Sequence, residues 1–370
     1  MPVFVLCCSF TEPGVAATAP QLVDAQVTPE TKALFLHLQQ MAGRQILFGH
    51  QHTTCYGVGW SGDDLRSDVK DATGSFPAVY GWDWGHPGTD HLATLMIEAF
   101  ERGGVNTISW HMKYPVSGGT YQAAAQRNVK EVLPGGALHD QLKKDLDGFA
   151  AFISSLKDRR GRAVPVIFRP WHEHTGSWFW WGTANATPEE FVALWRFTVT
   201  YLRDTKHVHN LLWAYSPSRT GVSNAADYTT NRFPGFAYID IVGLDYYTTE
   251  DTGDLVTLCR TLVELAGPEG KVPALTEFGW IDGFNNSKRN DWYTTCFLAP
   301  LKRDPVASSI AWALTWRNES PRHFWVPYPG HPAEKDFRAF FDDPMTAFED
   351  DLPDLYAPQE NNTGPSTYEK

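Results

Sequence analysis

Eight short apolar runs, each closing on polar residues and most followed by a helical stretch, narrow what this 370-residue chain can become. The runs are RQILFGHQ (44–51), FPAVYGWDW (76–84), VNTISWHM (105–112), VPVIFRPWHE (164–173), NLLWAYSP (210–217), IDIVGLDYY (239–247), VPALTEFGW (272–280) and ASSIAWALTWRN (307–318). They read as strands. TDHLATLMIEAFERGG (89–104) has helical periodicity and stops at Gly103-Gly104. LHDQLKKDLDGFAAFISSLKD (138–158) and GDLVTLCRTLVELAG (253–267) read as helices as well. TPEEFVALWRFTVTYLRD (187–204) opens with Thr187 as N-cap, Pro188 at the first helical position and Glu190 three residues after the cap. Such alternation predicts an α/β fold, a closed (β/α)8 TIM barrel. A doubly wound sheet would carry a Gly-rich phosphate loop after its first strand, and FGHQHTTCYGVGW does not have that form. One catalytic domain is expected over residues 29–349. Residues 1–28 read as a leader, and DDLPDLYAPQENNTGPSTYEK (350–370) as a disordered tail.

A chain of this length buries a core large enough to need no disulfide or metal staple. The net charge of −12 argues against nucleic acid, whose binding relies on Lys and Arg, and against anionic lipid. No stretch reaches the about 20 apolar residues of a membrane span. The five cysteines show no CxxC or zinc spacing, and Cys55, Cys259 and Cys296 are expected to be buried and unpaired. Cys7 and Cys8 lie in VFVLCC, a short apolar run before GVAATAP that has the form of a clipped secretory signal.

The strand ends share a chemistry. They carry Trp110-His111, then Trp171-His172-Glu173, Asp245-Tyr246-Tyr247, Glu277-Phe278-Gly279-Trp280 and Trp316-Arg317-Asn318. In a barrel these ends converge on one face, where active sites are built. Glu277 follows the apolar run VPAL, where a carboxylate is costly unless it is hydrogen-bonded or has a task. Two carboxyl groups flanking a pocket suit glycoside hydrolysis: one protonates the leaving oxygen, and the other attacks the anomeric carbon or activates water. The aromatic run Trp178-Phe179-Trp180-Trp181 suits stacking on sugar rings, with capping of the barrel as the plainer alternative. For Glu173 the plainer alternative is an ion pair with Arg169. His172-Glu173-His174 does not read as a metal site: on a strand the two histidines point one way and Glu173 the other, and HExxH is absent.

RPWHEHTGSWFWWG and LTEFG resemble glycoside hydrolase family 26, the β-mannanases, as do FGHQ, SDVKDATGSFPAVYGWDW and ISWHM. The resemblance covers roughly residues 30–345. It implies that Glu173 is the acid/base and Glu277 the nucleophile of a retaining reaction on β-1,4-mannosidic bonds. His111, His172, Trp178, Tyr247, Trp316 and Arg317 match positions that line the subsites around the cleavage point. Tyr247 is expected to hydrogen-bond Glu277 and aim it. This chemistry requires no metal and no organic cofactor. The implied partner is a neutral β-mannan polysaccharide or manno-oligosaccharide, met by a secreted or cell-surface (periplasmic) monomer.

Three other readings are weighed beside this one. They are removal of disaccharides from a chain end, action on mixed-linkage β-glucan or β-1,3-xylan, and a non-catalytic sugar-binding protein on the same scaffold. The last would be expected to lack one of the two glutamates, and both are present.

Overall fold

The structure, a computed structural model, describes residues 22–85, 91–248, 252–286 and 289–358. Eight parallel strands form its centre: β1 (Ile46–Gln51), β2 (Val79–Asp83), β3 (Val105–Ser109), β4 (Val166–Arg169), β5 (Leu211–Tyr215), β6 (Ile241–Thr248), β7 (Val272–Trp280) and β8 (Trp312–Thr315). Each pairs with its sequence neighbour, and β8 pairs back onto β1, with Leu47 opposite Trp312 and His50 opposite Thr315. The sheet is therefore closed: a (β/α)8 barrel, as expected. Closure leaves the strands buried on both faces, the reason VPAL and VIF lack polar alternation.

The helix Pro188–Thr200 begins as its sequence predicts. Thr187 accepts from Glu190 N, and the Glu190 carboxylate accepts from Thr187 N at 3.0 Å. The helix Leu92–Arg102 ends at Gly103 with φ 99°, a left-handed cap suited to glycine.

Several strands are shorter than their apolar runs. β4 stops at Arg169, and Trp171 and Glu173 take φ of 52° and 53°. Glu173 thus sits in a turn held by its N–H to Ser216 O at 2.8 Å, and the alternation assumed for His172-Glu173-His174 does not apply. His111, Trp316 and Arg317 likewise lie beyond their strands.

The packed body also passes both expected boundaries. Val23 is buried with its N–H on Asp240 Oδ1, and Asp24 meets His209 at 2.7 Å. Past Asp350, Leu355 and Tyr356 are buried; the Tyr356 hydroxyl reaches Gly104 O, and its ring packs 4.5 Å from Phe100. Apolar burial anchors both segments. The signal-like run at Cys7-Cys8 and the end of the tail (359–370) lie outside the described residues. Cys55, Cys259 and Cys296 are buried, and no disulfide joins them among the described residues.

Candidate active site

The polar strand ends meet in a cavity of about 600 Å³ at the C-terminal face of the barrel. His111, His172, Glu173, Trp178, Tyr247, Glu277 and Trp316 all line it. Arg317 does not: its guanidinium lies over the Trp316 ring at 5.8 Å and bonds Tyr56 and Glu319.

Glu277 owes its position to a bulge. Leu244 of β6 pairs with Leu275, yet Asp245 pairs with Glu277, so Thr276 is an extra residue on β7. The shift brings Glu277 level with Asp245. Arg169, from the end of β4, then joins the two: one guanidinium nitrogen meets Asp245 Oδ2 at 2.7 Å and another bonds Glu277 Oε1. The Tyr247 hydroxyl donates to the other oxygen, Glu277 Oε2, at 2.6 Å, so both oxygens of this carboxylate are held. Asp245 further accepts from Ser216 and Thr276 at 2.6 and 2.8 Å. Burial pushes Asp245 above the usual carboxylate range; Arg169 opposes that and Glu277 adds to it.

Glu173 is set differently. Its Oε2 accepts from the Trp178 indole N–H at 2.8 Å, and Arg169 is not its partner. Burial raises its carboxyl well above the usual range, and the charges of Asp245 and Glu277 raise it further. The Trp178 bond pulls the other way. Of the aromatic run, only Trp178 is exposed, at 39 %; Trp180 and Trp181 are buried in the barrel cap and Phe179 nearly so. The Trp178 ring lies over Gly176, where a Cβ would fall 2.2 Å from it, so a side chain at this position would displace the ring.

Two imidazoles stand side by side and are shifted in opposite directions. Burial works against a charge on His111, but Asp83 grips it through Nδ1 at 2.6 Å and holds it above the usual imidazole value. His172, with ring centre 4.7 Å away, is driven well below that value by burial, then by Arg169 and His111. His174 faces elsewhere, packed on Phe191 and Tyr215. No group of three possible metal ligands occurs among the described residues.

The sequence profile of glycosyl hydrolase family 26 matches residues 23–299. The chain belongs to that family. It is 35% identical over 350 residues to the mannan endo-1,4-β-mannosidase of Bifidobacterium adolescentis, matching 86% of this chain and spanning about a third (34%) of that relative's length. Among solved family 26 structures, an endo-β-1,4-mannanase double mutant from Cellulomonas fimi is 40% identical and superposes with a TM-score of 0.87, covering 92% of this chain and 80% of its own. The catalytic domain of the Bacillus sp. JAMB-750 endo-β-1,4-mannanase is 34% identical with a TM-score of 0.86, covering 94% and 99%.

Sequence reasoning missed several members of this family 26 site. Asp83 ends β2 and Arg169 closes the apolar run VIF, where a charge at the end of a buried strand was the available signal; Asp245 was read as a polar strand end without a role, and it lies within β6. Ser216 and Thr276 gave none. Neither did Ile281, His323 and Trp325, which come from loops after β7 and β8 and complete the cavity wall.

Proposed function

We propose that this chain is a retaining mannan endo-1,4-β-mannosidase, with Glu277 as nucleophile and Glu173 as acid/base. The observation that carries the reading is the contrast between two carboxyl groups on one cavity: Glu277 gripped through both oxygens, Glu173 pushed toward its protonated form. The names of its family 26 relatives support the substrate and the internal mode of cleavage.

In the first step a Glu277 oxygen bonds to the anomeric carbon as the bond to the leaving oxygen breaks, and that oxygen takes the Glu173 proton. In the second, the Glu173 carboxylate takes a proton from water, whose oxygen bonds to the anomeric carbon and releases Glu277. Neutral His172 suits a hydrogen bond with a sugar hydroxyl, and Trp178 and Trp316 offer faces to sugar rings. Retention calls for about 5–5.5 Å between the two carboxyl groups. A polymer that cannot cross a membrane places the enzyme outside the cytoplasm, acting as a monomer. No helix among the described residues is long and apolar enough to span a membrane.

Reducing-sugar release from linear β-1,4-mannan, galactomannan and lichenan tests the reading. Release from the mannans as mixed-length products is expected. Release from lichenan alone would overturn the substrate, and mannobiose as sole product would overturn internal cleavage.

The pH profile gives a second test. The Trp178 N–H favours the ionised form of Glu173, so Trp178→Phe raises that carboxyl further. The first step needs Glu173 protonated, and activity falls as pH rises through its pKa. The alkaline limb of kcat/KM should therefore move to higher pH in the variant. A limb that stays put, or moves down, removes Glu173 from the acid role.

A further inference from the structure

A second cavity, about 750 Å³, is larger than the one that holds the two glutamates. The two share a wall. Glu173 and Ser218 line the first, while Thr175, two residues past Glu173, lines the second. Thr175 Oγ1 donates to Ser218 O and accepts from Ser218 N, both at 3.1 Å, which seals the wall between them.

The lining selects a ligand chemistry. Arg232 is buried there, bonds the carbonyls of Trp181 and Ala186, and forms no ion pair among the described residues. Asn185 gives its amide hydrogens to Ala124 O and Arg127 O, and its Oδ1 is buried with no donor. Asn185 Oδ1 is too deeply buried for a ligand to reach, whereas Arg232 carries N–H donors beyond those given to Trp181 and Ala186, and the carboxylates of Glu190 and Asp227 bring acceptors to the same cavity. An anion supplies only acceptors, and it would face the carboxylates of Glu190 and Asp227, which line the same cavity and cap nearby helices. An apolar ligand would strip water from these three charged groups without replacing it. A hydroxyl group both donates and accepts.

We propose that this cavity is a second carbohydrate site, holding a short run of neutral hexose units from the same polysaccharide while another stretch occupies the cleft. The proposal rests on the mannanase reading for its ligand. The tyrosines that line the cavity, Tyr215 and Tyr228, are buried, so hydrogen bonds rather than ring stacking supply the grip and the hold is modest.

Ala184 is exposed on the cavity rim, away from the groups assigned to catalysis, and a large side chain there fills the space. Ala184→Trp and Ala184→Arg are expected to raise KM for linear mannan about fivefold, the worth of roughly one hydrogen bond. Their kinetics on mannotetraose, too short to bridge both sites, should match the parent's. An unchanged polymer KM with normal mannotetraose turnover overturns the proposal, as does an equal loss on both substrates in both variants. If the parent cuts neither substrate, the fault lies with the mannanase reading. Calorimetric titration of mannotriose into the parent and Ala184→Trp then decides the cavity: equal heats overturn the second site, and a component lost in the variant supports it.

Discussion

Glu277→Ala should fold like the parent and release no sugar, with turnover down roughly 10⁴-fold or more. Both halves of that result come from one cluster. Arg169 is a single buried cation between two buried carboxylates, Asp245 and Glu277. Removing Glu277 leaves one cation facing one anion, so the charge balance improves while the attacking group is lost. Denaturant midpoints should therefore stay near the parent's as sugar release vanishes. Glu173→Ala separates the two roles: it should lose turnover on mannan yet still release aryl alcohol from an aryl mannobioside in a fast first-turnover burst, since that leaving group needs no proton, while the second step, which uses Glu173 as base, slows. Turnover of Glu277→Ala within about tenfold of the parent would remove Glu277 from the nucleophile role.

Arg169→Ala should have the opposite character. It leaves Asp245 and Glu277 buried together without their cation, a change that costs about 3–5 kcal/mol. Urea unfolding would show it as a lower midpoint with little change in slope. The sign of its pH dependence follows. Burial and Glu277 already raise Asp245, and Arg169 is the largest influence holding it down. Without the guanidinium the folded state binds more protons than the unfolded chain at pH values above the ordinary carboxylate range. Stability then falls as pH rises through that window, and the penalty is smaller at pH 5 than at pH 7. A penalty that grows on acidification, or a midpoint equal to the parent's, would mean the cluster is not held together by this ion pair. Arg169→Lys keeps the charge but cannot reach both carboxylates in the same forked manner, and should fall between.

The barrel was legible because its cause is local. Apolar runs of strand length, glycine stops and the Thr187–Glu190 capping box act over a few residues, and the chain order of eight such units leaves closure as the natural arrangement. The two glutamates were legible for a related reason: a carboxyl group at the end of a buried run stands out against its neighbours. Their partners were harder to read. Arg169 lies four positions before Glu173, and an ion pair between them was the alternative to a catalytic Glu173; the left-handed turn at Trp171 and Glu173 carries Glu173 toward Trp178 and leaves Arg169 to β6 and β7. The aromatic run looked like one surface, and the turn splits it into one exposed ring and three that pack inward.

The sequence by itself determined the strand order, the barrel class, the carboxyl groups at the ends of β4 and β7, and the family to which they belong. Tertiary structure alone decided how those groups are tuned. The bulge at Thr276 sets Glu277 level with Asp245, Arg169 crosses from a third strand to hold both, and Glu173 is left with an indole donor and two nearby negative charges. Propensity and hydrophobic period act between residues a few positions apart, whereas the protonation of a carboxyl group depends on every charge and every desolvating neighbour within several ångströms. Here those neighbours come from residues 72 and 104 positions further along the chain than Glu173.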